Sequence, residues 1–345
     1  MENFNLHRSS VQSAEDWFAR FKSLESSLFV KGVETKPVKI AIIDTGAVFT
    51  KQTAHNKYDD RIIDFWPTND TNQTERKVGL DYDGHGTHVA SALLSVDPFC
   101  HIYVARAFGK RGEQQGREMA EEVQHKVVSA IRHAIHQWKV DILSLSFGFE
   151  RPVEDIHKAI REAADNKILV LASCGSPGGS AKWSWPARHS DVLGIYASNG
   201  DDNGYSKNPT PEEDASKFAA LGVAVEVLTA AGGSCLCSST SIATPVAAGI
   251  AGTLIHFMRQ HREDYLTNVR QNPNRGWIIQ PPRTMGEKYD GYVRTLSTRD
   301  GMRAIFSKMA NSRNGLHVLV PTMLFQNHGE GIHLVNSILL WLRNL

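Results

Sequence analysis

The chain has 345 residues, 41% of them hydrophobic and 22% charged, and its 38 lysines and arginines against 37 aspartates and glutamates leave a net charge of +1. That balance excludes a disordered or fibrous chain, and without a basic or acidic block it favours neither nucleic acid nor an anionic membrane as partner. Four cysteines, with Cys235 and Cys237 too close for an easy bridge, do not make a disulfide framework, so free thiols in a reducing cytoplasm are expected.

The N-terminal segment mixes Glu2, His7, Arg8, Glu15, Asp16 and Lys22 with apolar residues, unlike a signal peptide, and no apolar run approaches the ~18 residues that cross a bilayer. Within it, Trp17, Phe18, Phe21, Leu24 and Leu28 predict a helix over 14–29. Val38-Lys39-Ile40-Ala41-Ile42-Ile43 then reads as a buried strand that delivers Asp44 at its carboxyl end. Four more apolar runs, over 101–105, 141–146, 168–172 and 192–196, repeat that design. Between them, Val123, Val127, Ile131, Ala134, Ile135 and Trp138 recur at three- and four-residue steps and predict a helix over 117–138. A shorter one is predicted over 152–166, and a helix that starts with small residues near Ser241 is expected to end near Arg262. Beyond it the prolines at 273, 281 and 282 predict an irregular segment, followed by helices over 298–311 and 331–345.

Strands alternating with helices predict an α/β fold, a mostly parallel sheet covered by helices on both faces, with its ligand site at the carboxyl ends of the strands. The expected division is an N-terminal helical extension over 1–36, a central domain over 37–262 and an irregular and helical extension over 263–345.

Three segments at predicted strand ends or helix starts supply an acid, an imidazole and a hydroxyl: Ile43-Asp44-Thr45-Gly46, Asp83-Gly84-His85-Gly86-Thr87-His88-Val89-Ala90 and Ser239-Thr240-Ser241-Ile242-Ala243-Thr244-Pro245. A serine hydroxyl is a weak nucleophile until a histidine takes its proton, and a buried carboxylate must hold that histidine in one tautomer. In this chain the order is acid, histidine, serine, one of three orders that unrelated triads use. Each residue alone has a plainer use. Asp44 could cap a turn, and Asp-Thr-Gly also marks one half of an aspartic-peptidase pair, but no second copy occurs. Ser241 alone could be a helix cap. His85 and His88, with Asp83, have zinc-like spacing, yet neither a catalytic glutamate nor a further ligand cluster accompanies them, so no metal is expected.

Taken together and in order, the three motifs resemble those of the subtilisin-like serine peptidases, over residues 37–262, and the Ala-Thr-Pro-Val-Ala-Ala-Gly-Ile-Ala run looks most like the fungal intracellular branch. The resemblance implies the three-layer subtilisin-like fold and a serine endopeptidase working through an acyl-enzyme. In it Asp44 is the orienting carboxylate, His85 the general base and acid, and Ser241 the nucleophile; His88 is only a helix residue. It also implies a peptide or protein substrate bound as an added strand between Ser146-Phe147-Gly148 and Ser173-Cys174-Gly175, with the loop over 110–116 near the other substrate edge. No cofactor is implied. The family's long folding segment has a counterpart of only about 36 residues ahead of Pro37, so unassisted folding, a reduced substitute in the helix over 14–29, or a larger multidomain parent protein is expected.

Three departures stand out. The asparagine of the family's oxyanion hole is Ser176 here, and loss of one such donor costs about 10²–10³ in turnover. The glycine ahead of Thr240-Ser241 is Ser239, expected to crowd a tight turn. Ser91 replaces a glycine and is expected to be tolerated, while Cys174 and Cys235 are expected as small buried thiols near the site. The departures leave an alternative, a catalytically weakened pseudopeptidase that binds peptides or proteins.

Overall fold

The computed structural model describes residues 2–29, 33, 35–49, 61–66, 80–110, 120–175, 184–211, 217–279, 284–328 and 331–345. All five expected strands form: β1 (Lys39–Asp44), β3 (His101–Arg106), β4 (Ile142–Leu145), β5 (Leu169–Ser173) and β6 (Val192–Ser198). With β2 (Ile62–Trp66), β7 (Phe218–Leu221), β10 (Ala310–Arg313) and β11 (Leu316–Leu319) they build one nine-stranded sheet in the order β10-β11-β7-β6-β5-β4-β1-β3-β2. Every pairing is parallel except the β10–β11 hairpin. A second, two-stranded antiparallel sheet pairs β8 (Val225–Leu228) with β9 (Ser234–Cys237).

The alternation of side chains along each strand divides the core in two. Ile40, Ile42, Leu169, Leu171, Leu193 and Ile195 face one core, while Ala41, Ile43, Val170, Ala172, Val192 and Tyr196 face the other. Strands buried on both faces must be apolar throughout, and the continuous runs in the sequence reflect that. The first core is covered by α1 (Glu2–Leu28), α2 (His85–Val96), α5 (Thr240–Gln260), α6 (Arg262–Gln271), α7 (Met285–Leu296), α8 (Arg299–Lys308), α9 (Pro321–His328) and α10 (Gly331–Arg343); the second by α3 (Glu121–His133) and α4 (Glu154–Asp165). The expected helix over 117–138 is α3, continued by a single π-helical turn, Ala134–Trp138; its first residues lie outside those described. Helix α5 alone among the described residues is long and apolar enough to cross a membrane, and it is almost wholly buried as the central helix of the core.

The tail differs from its sequence reading. The segment expected to be irregular carries α6 and α7, with Pro273 beyond the end of α6, so the proline bounds a helix and breaks none. The helix expected over 298–311 stops at Lys308, where β10 begins. Asn314 and Gly315, both at positive φ, turn the chain from β10 into β11, and β11 pairs with β7. Residues beyond 262 therefore widen the central sheet.

One buried acid makes the core pH-sensitive. Asp97, after α2, accepts backbone N–H groups of Phe99 and Cys100 on Oδ1, while its buried Oδ2 has no partner among the described residues. Burial, reinforced by the nearby Glu25, pushes its carboxyl up to about 7. Between about pH 4, where an unfolded aspartate ionises, and pH 7 the folded chain holds a proton that the unfolded chain has released, so this residue makes stability fall with rising pH by up to about 1.4 kcal/mol per unit. Urea titrations at pH 5 and pH 8 are expected to show Asp97→Asn removing that fall relative to wild type.

Candidate active site

The sheet reverses direction of assembly at β1, whose neighbours are β3 on one side and β4 on the other. The carboxyl ends of strands at such a switch point are where α/β folds place their sites, and Asp44 and His85 lie there. Asp44 ends β1 and is 2% exposed; His85, 8% exposed, opens α2. His85 Nδ1 lies 2.7 Å from Asp44 Oδ1. A carboxylate only accepts, so Nδ1 carries the proton and Nε2 is left as the basic nitrogen. The Asp44 carboxylate also accepts the N–H of Thr45 at 2.8 Å.

Two glycines let strand and helix come this close. A Cβ on Gly86 would stand 1.9 Å from the Gly46 carbonyl oxygen, and one on Gly46, at φ +110°, would stand 1.7 Å from that of Leu80. Asp81, which the sequence reading passed over, ties the junction together. Its Oδ1 accepts from Thr45 Oγ1 at 2.9 Å and from the Gly84 N–H at 2.8 Å; its Oδ2 accepts from the N–H and Oγ1 of Thr87 at 2.8 and 2.6 Å. Thr45 Oγ1 accepts in turn from the Gly86 N–H. An acid just ahead of a helix start, matched to the helix dipole and its unpaired N–H groups, was the available signal.

Ser241 is the second residue of α5, which packs along α2. Ser239 caps this helix: its backbone is extended (φ −170°, ψ 165°), and its Oγ accepts the Ile242 N–H at 3.2 Å. The expected crowding is therefore absent, because the position is one that any residue adopts. Ser91 is equally at ease, its Oγ accepting the Leu228 N–H at 2.9 Å.

Pro245 lies inside α5 and has no N–H to offer the carbonyl four residues back, which is that of Ser241. Ser146 Oγ donates to that carbonyl instead, at 2.8 Å. Ser173 Oγ and Thr240 Oγ1 are hydrogen-bonded at 2.7 Å. The serines that lead the two expected substrate edges thus fasten the first turn of α5 to the ends of β4 and β5.

The backbones of those edges are partly engaged as well. Cys174 donates its N–H to Ile195 O and accepts from the Ser184 N–H, and Phe149 pairs with Trp185 in an antiparallel bridge. Phe147 is buried against Phe108 and Phe149, and Ser184 lies over Gly148. Gly175, at φ +92°, ends the described stretch, so Ser176, and with it the expected oxyanion side chain, lies outside the described residues, as does the loop over 111–116. Cys174 is a buried thiol as expected, whereas Cys235 is partly exposed.

Comparison with known proteins identifies the family. Residues 35–271 match the subtilase family. The major intracellular serine protease of Bacillus subtilis (strain 168) is 27% identical over 181 residues, 49% of this chain and 53% of that protein. The subtilisin-like protease het-Q2 of Podospora anserina is 30% identical over 192 residues, 52% and 51% of the two chains. This chain thus spans about half the length of these two relatives. A cold-adapted subtilisin-like serine proteinase superposes with a TM-score of 0.52 at 19% identity, over 65% of this chain and 77% of its own, and shares the fold. With the family matched over more than half of its length, the chain belongs to the subtilases.

Proposed function

We propose that the chain is a serine endopeptidase whose catalytic unit is the stretch 37–262, flanked by extensions over 1–36 and 263–345. Peptide or protein substrates bind as a strand beside Ser146-Phe147-Gly148 and Ser173-Cys174-Gly175. Ser241 Oγ attacks the scissile carbonyl carbon as His85 Nε2 takes its proton. His85, oriented by Asp44, then returns that proton to the leaving amine, and water reverses the sequence to free the acid. The N–H of Ser241 serves the oxyanion, since the first N–H groups of a helix have no intrahelical partner, and Ser176 is the second donor position. An intracellular setting is part of the same reading, supported by the name of the Bacillus subtilis relative.

The observation that carries this reading is the buried 2.7 Å contact between His85 and Asp44 in a subtilase chain. Its test is intact-mass spectrometry after exposure to a fluorophosphonate, with circular dichroism verifying the fold. One adduct on wild type and none on Ser241→Ala is the expected result. No adduct on folded wild type would replace the enzyme with a peptide-binding pseudopeptidase.

A further inference from the structure

Cys235 and Cys237 flank the exposed Leu236 on β9, so the period-two alternation of a strand turns both thiols to one side of the β8–β9 hairpin. Helix α2 lies on that side, joined to β8 by the Ser91–Leu228 hydrogen bond. It presents His88 to the pair. The two sulfurs are 3.8 Å apart; His88 Nε2 is 3.8 Å from Cys235 Sγ, and Nδ1 is 3.9 Å from Cys237 Sγ. One donor atom from each of the three falls within 4.8 Å of the others, and all three residues are partly exposed.

We infer that His88, Cys235 and Cys237 form a three-ligand site for a thiophilic divalent ion of the zinc class, its fourth position open to solvent. Two thiolates at about 2.3 Å from a tetrahedral ion stand roughly 3.8 Å apart, and a thiolate and an imidazole nitrogen roughly 3.6 Å apart. The S···S spacing matches its edge, and each sulfur lies within a few tenths of an ångström of the S···N edge from a different ring nitrogen. The single nitrogen that binds the ion stands within 4.8 Å of both sulfurs, and a small rotation of the His88 ring closes the set. Sulfur and imidazole donors select zinc-like ions over calcium and magnesium, which take oxygen. Binding releases the thiol protons to solvent. A Cys235–Cys237 disulfide is the poorer use of the pair, because residues i and i+2 of a strand have Cα atoms roughly 6.6 Å apart, near the upper limit for the bond. The ion would join the helix that begins at His85 to the strand that ends four residues before Ser241, two segments otherwise held by packing and hydrogen bonds.

The test uses the full chain, metal-free and kept reduced. On titration with Cd²⁺, an ultraviolet thiolate-to-metal charge-transfer band is expected to rise and saturate at about one equivalent, and prior loading with excess Zn²⁺ to raise the Cd²⁺ concentration that it needs. His88→Gln is expected to weaken binding at least about tenfold, the scale on which even an outer partner of a metal site matters. The double variant Cys235→Ser, Cys237→Ser is expected to lose the band. In unmutated protein, Zn²⁺ is expected to shield two thiols from alkylation, read by intact mass. A band that survives in the double variant, no band in folded wild type, or no shielding would overturn the site.

Discussion

His85→Ala and Ser241→Ala are each expected to lower kcat on a peptide-amide substrate by about 10⁶-fold, and the double variant to fall no further. The non-additivity is the informative part. A base with no nucleophile to deprotonate, or a nucleophile with no base, is as inert as neither, so independent contributions would multiply where a working unit does not. Asp44→Asn is expected to cost about 10⁴-fold, because an amide in place of the carboxylate can hold the ring of His85 in the wrong tautomer. The short Nδ1–Oδ1 contact is the interaction that this substitution alters. Steady-state kinetics on folded variants decide the matter: multiplicative losses, or an unaltered rate in Ser241→Ala, would place the chemistry elsewhere.

Gly86→Ala is expected to destabilise the fold by more than about 4 kcal/mol, in the range reserved for substitutions that the backbone cannot absorb. The new Cβ would stand 1.9 Å from the Gly46 carbonyl oxygen, and its relief requires β1 and α2 to separate. Separation also parts Asp44 from His85, so fluorophosphonate labelling should disappear with stability. Gly84 supplies the control. Its φ of +87° resists a side chain, but a Cβ there meets nothing within 4 Å, and Gly84→Ala is expected to cost only about 1–2 kcal/mol. Urea midpoints that coincide for the two variants would show that the junction yields.

How much of this was legible depended on whether a feature lies in one stretch of chain. The five sheet strands read from sequence are continuous apolar runs, because both of their faces are buried. Strand β7, Phe218–Leu221, is four residues of mostly alanine and leucine with no such length. Strands β10 and β11 had a signal that went unread: Asn314-Gly315 is the dipeptide that a tight hairpin favours. The motif residues Asp44, His85 and Ser241 carried their own local signature. Asp81 did not, since its meaning lies in the four hydrogen bonds it accepts across the junction. His88 and Cys235 are separated by 147 residues, and only the packing of α2 on the hairpin makes one cluster of them. The Ser239 reading failed for a related reason: residue identity signalled an added Cβ, but only the backbone angles show that the position asks for no glycine.

The bond from Ser146 to the Ser241 carbonyl joins segments 95 residues apart, and it exists because Pro245 cannot make the local one. A helix that closed its own first turn would seat Ser241 as soon as the helix formed. This one completes its seat through Ser146 at the end of β4, so the position of Ser241 depends on a distant strand as well as on its own helix. A chain in which β4 is not seated then carries Ser241 without the hydrogen bond that holds its carbonyl, so a substitution at Ser146 reaches Ser241 without touching its side chain.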